Sequence, residues 1–296
     1  MEVKINITAD SCTICGKCVR VCPSMVLVQN EAKSAIEIVS MDRCIVCGHC
    51  VAVCPTNSVV HSEFPPEKVH EIDYSLMPTP EQVMLLCKSR RSNRAFSKKA
   101  VPNEFMDLIL EAAHRAPTAS NVQQVEFTLV TDPVMIEQIK DFTIDEFSKL
   151  VKFISNPFVK PFVKMFMPGA YRYIAIFKRM KEEHENGRDV ILRGATSVLF
   201  IHAPLKNRFG AMDCNLAYQN GSLMAESLGV SQVYTGFVCV AIKRDKKNKL
   251  AKMLGIDGTI HAGMAMGMPL FRYPKYIDRR DIKVTRINET ASKTVS

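Results

Sequence analysis

Eight of the chain's 11 cysteines fall into two copies of one run, and no other feature limits the fold as tightly. The first copy is Cys12-x2-Cys15-x2-Cys18-x3-Cys22-Pro23; the second is Cys44-x2-Cys47-x2-Cys50-x3-Cys54-Pro55. Three thiolates at this spacing can hold three corners of an iron–sulfur cubane, and the fourth, set off by three residues and a proline, ligates the other cluster of a pair. Gly16 and Gly48 follow the second cysteine of each run, where the backbone must turn tightly and approach a cluster closely. Two zinc knuckles or four disulfides are the competing readings. Zinc sites use two separated cysteine pairs and need no further cysteine with a proline behind it. Disulfides fit an oxidising compartment, whereas Met1–Asp10 carries Glu2, Lys4 and Asp10 and lacks the apolar core of a secretory segment. The expectation is one small unit holding two 4Fe–4S clusters.

Residues 1–62 resemble the bacterial two-cluster ferredoxins. The resemblance implies that Cys12, Cys15, Cys18 and Cys54 hold one cluster, and that Cys44, Cys47, Cys50 and Cys22 hold the other.

At 296 residues the chain has room for one large or two moderate domains. Cys87, Cys214 and Cys239 stand alone and read as buried thiols. No uninterrupted apolar stretch approaches the ~20 residues of a membrane span. A reducing, oxygen-poor cytoplasm is the expected location. The net charge of +9 is uneven: residues 1–62 hold five basic and five acidic side chains, so the excess lies downstream. Cluster thiolates would make the first unit net negative, suited to docking on a positive second unit. No helix-turn-helix, RNP or zinc-finger pattern accompanies the basic balance, so nucleic acid is not an expected partner.

Pro65, Pro66, Pro78 and Pro80 mark a connector, set at residues 63–80, whose proline density excludes a continuous helix. It reads equally as a semi-rigid tether or a surface strap. Beyond it the spacing turns helical: Val83, Met84 and Leu86 in one helix, then Phe105, Leu108, Ile109, Ala112 and Ala113 in another. Between them stands Arg90-Arg91-Ser92-Asn93-Arg94-Ala95-Phe96; in an extended segment Arg90, Ser92 and Arg94 face one side, and arginine forks suit phosphate. The second helix ends in Ala116-Pro117-Thr118-Ala119-Ser120-Asn121-Val122-Gln123, followed by a short strand at Phe127, Leu129 and Val130.

These two motifs, at this distance, resemble the FMN-dependent nitroreductase family. Two departures stand out: Thr118 replaces the family's usual serine, and Gln124-Val125 replaces its Pro-Trp beside the flavin. The fold class implied is α+β: a ferredoxin-like two-cluster domain (1–62), the linker (63–80), and a nitroreductase-fold domain (81–296) with a central mixed sheet surrounded by helices. By the resemblance, Arg90, Arg91, Ser92, Arg94, Pro117, Thr118, Ala119, Asn121 and Gln123 bind FMN. Val198–Pro204 matches the central strand, and Asp213–Leu228 reads as a helix with Leu216, Leu223 and Met224 on one side, ended by Gly229. Tyr234-Thr235-Gly236-Phe237 matches the loop that lies against the flavin ring, with a backbone N–H near Gly236 given to its edge. Residues 254–269 match a late strand, and Arg279 is the candidate for a final phosphate contact.

Residues 134–190 lie outside the motifs. Phe147, Leu150, Val151 and Ile154 have helical spacing, then Phe158, Phe162, Phe166, Tyr171, Tyr173 and Phe177 interleave with Pro157, Pro161 and Pro168. Packing against a partner subunit, a lid over the flavin, and contact with an anionic membrane surface are the three readings, the last the least favoured.

The function implied is an iron–sulfur flavoprotein oxidoreductase, an enzyme with two 4Fe–4S clusters and FMN. One-electron carriers would feed a flavin that reduces a small organic acceptor by two electrons: a nitroaromatic, a quinone or an activated alkene. The donor implied is a reduced ferredoxin-like protein or NAD(P)H, and no G-x-G-x-x-G follows a strand to bind a nicotinamide separately. No protein side chain is assigned a catalytic role. A homodimer is expected, with Pro117–Asn121 serving the flavin of the other subunit. The alternatives are an electron relay to a protein partner, a flavin-dependent dehydrogenase or dehalogenase, and a redox sensor.

Overall fold

Each thiol run enters a short helix through a left-handed glycine. Gly16 (φ +69°) precedes α1 (Lys17–Val21), and Gly48 (φ +72°) precedes α2 (His49–Ala52). A Cβ on Gly16 would lie 2.6 Å from the side-chain oxygen of Gln29, so both conformation and space demand glycine there. The computed structural model describes residues 3–166 and 170–287. Strand β1 (Ile5–Ile7) pairs antiparallel with β4 (Val59–His61), and β2 (Leu27–Val28) with β3 (Glu37–Ile38). The core of this unit is small: Cys18, Val26, Leu27, Cys50, Val51 and Val59 are its buried apolar members, and two of the six are cysteines of the runs.

Two isolated 3-10 turns, Pro66–Lys68 and Tyr74–Leu76, follow, and residues 66–80 are exposed throughout. Helix α3 (Pro80–Ser89) then starts at a capping box, with Thr79 and Gln82 bonding one another's backbone N–H and Pro80 in the first turn. Its apolar residues Val83, Met84 and Leu85 face solvent in the single chain.

The larger unit is built on β5 (Glu126–Val130), β6 (Ser197–Ala203), β7 (Ser231–Tyr234) and β8 (Thr259–Gly267), in the order β5-β6-β8-β7. All three strand pairs are antiparallel; a parallel bridge from Ser92 to Gln232 extends the β7 edge and makes the sheet mixed. Every residue of β6 is buried, because helices cover both faces. Side chains alternate across a strand. Val198 and Phe200 therefore join Ile139 and Phe147 of α5 (Pro133–Ile154) and Phe177 of α7 (Ala170–Glu185). Leu199 and Ile201 join Ile109 and Ala113 of α4 (Asn103–His114) and Ala217 and Tyr218 of α8 (Gly210–Ser227). Short helices α6 (Lys160–Phe166), α9 (Gly236–Arg244) and α10 (Lys249–Met253) complete the unit.

Several expectations are corrected here. The buried side of α8 is lined by Asp213, Cys214, Ala217, Tyr218, Gly221, Ser222 and Ala225, while Leu216 is exposed. At Gly221 the residue must be small because α4 lies against it: a Cβ there would stand 3.3 Å from the Ala113 Cβ. Leu108 of α4 is exposed and Met106 takes a buried place. Cys87 is exposed on α3, whereas Cys214 and Cys239 are buried. In the 134–190 segment, the Phe147 and Phe177 rings stack at 4.1 Å in the core, while Phe153, Phe158 and Phe166 are exposed. Pro168 and the side chains of Phe162 and Tyr171 lie outside the described residues. No helix among the described residues is long and apolar enough to cross a membrane.

Candidate functional site

The eight clustered thiols converge in two groups, each mixing the two runs. Cys12, Cys15, Cys18 and Cys54 line one cavity. Cys22, Cys44, Cys47 and Cys50 line the other, beside Ile5, Pro23 and Val26. Four sulfurs around one enclosed, largely apolar space are the donor set of a cubane. The exchanged cysteines are held alike: Val26 N–H donates to Cys22 Sγ at 3.3 Å, and Ser58 N–H to Cys54 Sγ at 3.2 Å. The Lys17 N–H and then the Thr13 side chain hold the Cys15 thiol below the ordinary thiol range. Burial pushes Cys18 up, and Cys50 up to about 11. Buried thiols of that kind lose their protons to a metal rather than to water.

In the larger unit, the extended run after α3 is fastened to the edge of β7. Asn93 N–H donates to the Gln232 carbonyl at 3.0 Å, and its side-chain amide donates to Ser231 Oγ at 2.7 Å. Its side-chain oxygen accepts from Ala95 N–H at 3.0 Å. With Asn93 pinned inward, alternation directs Arg90, Ser92 and Arg94 to the other side. Arg94 Nη1 donates to the Ser92 carbonyl at 3.1 Å, and Arg90 lies close enough to Tyr218 to influence its hydroxyl. The structure does not bring Arg91 to them. Its guanidinium sits 5.4 Å from the Tyr273 ring, and with Asn93 it lines a separate cavity of about 370 Å3.

The second motif forms a tight loop. Thr118 accepts the Gln123 N–H on its hydroxyl (3.0 Å) and the Asn121 N–H on its carbonyl (3.0 Å); Pro117 is exposed at the loop's start. Ala119 N–H donates to the buried Asp213 carboxylate at 3.1 Å. Ser120, Asn121 and Gln123 all have positive φ, from 49° to 54°. Side-chain-bearing residues in that region cost about 1–3 kcal/mol each and concentrate where a loop is shaped for a ligand or partner. Asn121 reaches across to the N-terminal unit: its amide donates to the carbonyls of Ile45 at 3.1 Å and Val46 at 2.8 Å. Those carbonyls lie between Cys44 and Cys47.

Within one chain the two motifs lie at opposite ends of the sheet. Ser92 sits beside Gln232, which faces Met266, which faces Ser197 at the start of β6. Ala119 rests on Asp213 in the first turn of α8, and the first residue of that helix, Gly210, abuts Ala203 at the end of β6. The length of β6 separates the ends by roughly 20 Å.

Of the Tyr234-Thr235-Gly236 group, the tyrosine closes β7 and Gly236 opens α9, so the glycine begins a helix instead of lying mid-loop. Its N–H is one of the four that a helix leaves without an internal partner, and a Cβ there would meet nothing within 4 Å. Thr235 is buried, with its N–H on the Gly263 carbonyl. The Tyr234 hydroxyl is committed to Asn215 and the His261 carbonyl, and burial pushes its pKa up. Arg279 lies in an exposed segment without regular structure, residues 270–287. Sequence reasoning missed Asn93 and Asp213. Asn93 was legible as the inward-facing alternate of the arginine run. Asp213, whose Oδ2 is buried without a hydrogen-bond partner, carried no local signal.

The profile of the nitroreductase family matches residues 87–268, more than half of the chain, and that of a 4Fe–4S dicluster domain matches residues 4–55. An NADPH-dependent oxidoreductase of Staphylococcus saprophyticus is 24% identical over 193 residues, which span 64% of this chain and 65% of that protein. A Bacillus subtilis FMN reductase (NAD(P)H) is 26% identical over 199 residues, 66% of this chain and 68% of that one. The match thus spans about two thirds of each relative's length. The crystal structure of a nitroreductase with bound FMN from Bacteroides fragilis superposes with a TM-score of 0.53 at 20% identity, covering 69% of this chain and 99% of the other. The chain belongs to the nitroreductase family and carries a 4Fe–4S dicluster domain ahead of its nitroreductase domain.

Proposed function

We propose that this chain is an iron–sulfur flavoprotein oxidoreductase that reduces a small organic acceptor with electrons received through its N-terminal unit. The observation that carries the reading is the Asn121 amide on the Ile45 and Val46 carbonyls, which joins a thiol-run loop to the nitroreductase domain's own motif loop. When bound, the clusters supply one-electron transfer and FMN converts it to two-electron chemistry. The chain's residues do the rest. Two groups of four cysteines would hold the clusters, Cys12, Cys15, Cys18 and Cys54 in one and Cys22, Cys44, Cys47 and Cys50 in the other. Arg90, Ser92 and Arg94 would hold the FMN phosphate, and Pro117–Asn121, Gln123 and the Gly236 N–H would complete its site. A quinone acceptor takes two electrons, from two one-electron oxidations of a low-potential ferredoxin-type donor, and two protons from solvent.

The same reading makes the protein a homodimer with domains at 1–62 and 81–296 around a linker at 63–80. Motifs at opposite sheet ends in one chain meet only when a second copy brings its Pro117–Asn121 to the arginines. The exposed apolar residues of α3, Met212 and Leu216 of α8, and Leu270, Phe271 and Ile277 of the C-terminal segment offer the surface for it.

Anaerobic purification with iron and FMN counts tests the reading: about eight irons and one FMN per chain are expected. Reduction by ferredoxin and by NAD(P)H in separate cuvettes then identifies the donor. Full FMN occupancy in the Arg90→Ala, Arg94→Ala double variant would overturn the phosphate assignment. A protein that reduced only protein partners and left every small acceptor untouched would be a relay.

A further inference from the structure

We propose that the dimer is wired in trans: the Cys22, Cys44, Cys47 and Cys50 cluster of each chain delivers electrons to the flavin gripped by Arg90, Ser92 and Arg94 of the partner subunit. The inference rests on the cofactors and the dimer of the preceding section, and it follows from two independent features of the chain.

The first is a broken symmetry between the two thiol runs. They are offset by 32 residues, so Ile14 and Val46 are equivalent, and both hold left-handed backbone (φ 47° and 53°) that β-branched residues rarely adopt. In the first run the Ile14 carbonyl is capped from within the same unit, by Gln29 Nε2 at 3.0 Å. The residue equivalent to Gln29 in the second run is His61, and its Nε2 instead lies 3.6 Å from Cys44 Sγ. The Val46 carbonyl is capped from outside, by Asn121 at 2.8 Å. Asn121 has two amide protons and spends both on this loop, one on Ile45 and one on Val46. The first run is therefore complete within its own unit, while the second is completed by the nitroreductase domain. That makes the second the exit, and Asn121 its positioning residue.

The second feature is the separation of the motifs. The exit loop is clamped at the Ala203 end of the sheet, and the arginines of the same chain stand at the Ser197 end, roughly 20 Å away along β6. The flavin that the clamped loop can serve is the one walled by Pro117–Asn121, and its phosphate grip comes from the other copy. Each acceptor molecule still takes two electrons, which now cross the subunit boundary one at a time from a ferredoxin-type donor.

Mixed dimers carrying two different tags decide the matter, with reduced ferredoxin as donor and a quinone as acceptor. One chain carries Cys47→Ala and its partner Arg90→Ala with Arg94→Ala; both homodimers of these variants are expected to be inactive. Wiring in trans gives this mixed dimer about half the wild-type turnover. It leaves inactive a dimer of wild type with a chain bearing all three substitutions. Any other pattern in the two mixed dimers overturns the proposal. Should Cys47→Ala fail to fold, Cys47→Ser serves as the exit-side lesion, since Cys47 lines the second thiol cavity and no part of the flavin wall. A readout apart from turnover is the reduction potential of each cluster followed by electron paramagnetic resonance: Asn121→Leu shifts the second cluster and leaves the first in place, and an unmoved second cluster sinks the clamp. Failure of the underlying reading looks different. It shows as wild type lacking iron or FMN, or as full turnover in the Cys47→Ala homodimer.

Discussion

The N-terminal unit and the nitroreductase unit are held together by different physics. The first has two two-stranded ladders and six buried apolar residues, two of them cysteines. The second has a four-stranded sheet with helices on both faces and separate apolar clusters on each side. A unit whose buried groups are ligands depends on its metal, because thiols that burial holds protonated add little cohesion until iron replaces the proton. A unit with a full two-sided core stands on apolar burial alone.

The largest expected effect breaks the two apart. Iron chelation, or Cys47→Ala, should unfold the N-terminal unit and leave the other intact. Limited proteolysis that clips residues 1–62 while sparing the rest checks this, and simultaneous loss of both units would show that they share one stability. On the other side of the comparison, Phe147→Ala removes a ring that is 1% exposed and stacked on Phe177. It should cost the nitroreductase unit about 3–5 kcal/mol, seen as a fall in its Tm, with iron content unchanged. A smaller effect belongs to the junction. Thr79→Ala deletes the cap of α3 and should cost about 1 kcal/mol, local to that helix by hydrogen exchange. The smallest is a pH effect on the sheet. Burial lowers the pKa of His202, opposed in part by Glu126, from an unfolded value of 6.5. The unfolded chain then binds the proton more readily, so His202's contribution is complete above pH 6.5 and is lost as pH falls toward the lowered folded value. Denaturant melts at pH 7 and pH 5 should show a loss that His202→Gln reduces; an unchanged difference would assign the acid sensitivity elsewhere.

Much of this was legible locally. The paired cysteine runs declare their chemistry by spacing, alternation located the shared face of Arg90, Ser92 and Arg94, and helical period located α4 and α5. What misled was the identity of the neighbour. Leu216 has the right type for a core position, but α8 meets α4 through Gly221, where a Cβ would stand 3.3 Å from the Ala113 Cβ, and the leucine faces solvent. Arg91 belongs to the arginine run by type, yet alternation sends it to Tyr273. Gly236 marks a turn in sequence, and the structure uses it to start a helix beside an open space.

By itself the sequence determined the inventory of groups: eight thiols in two like runs, a basic run at Arg90–Arg94, and a loop of small and polar residues at Pro117–Gln123. These follow from spacing, because covalent geometry ties neighbours to one face or one turn. Only the tertiary structure decided who meets whom. Asn121 and Val46 lie 75 residues apart, and no local pattern links them. Their contact exists because the two units dock at one end of a sheet whose other end carries the arginines.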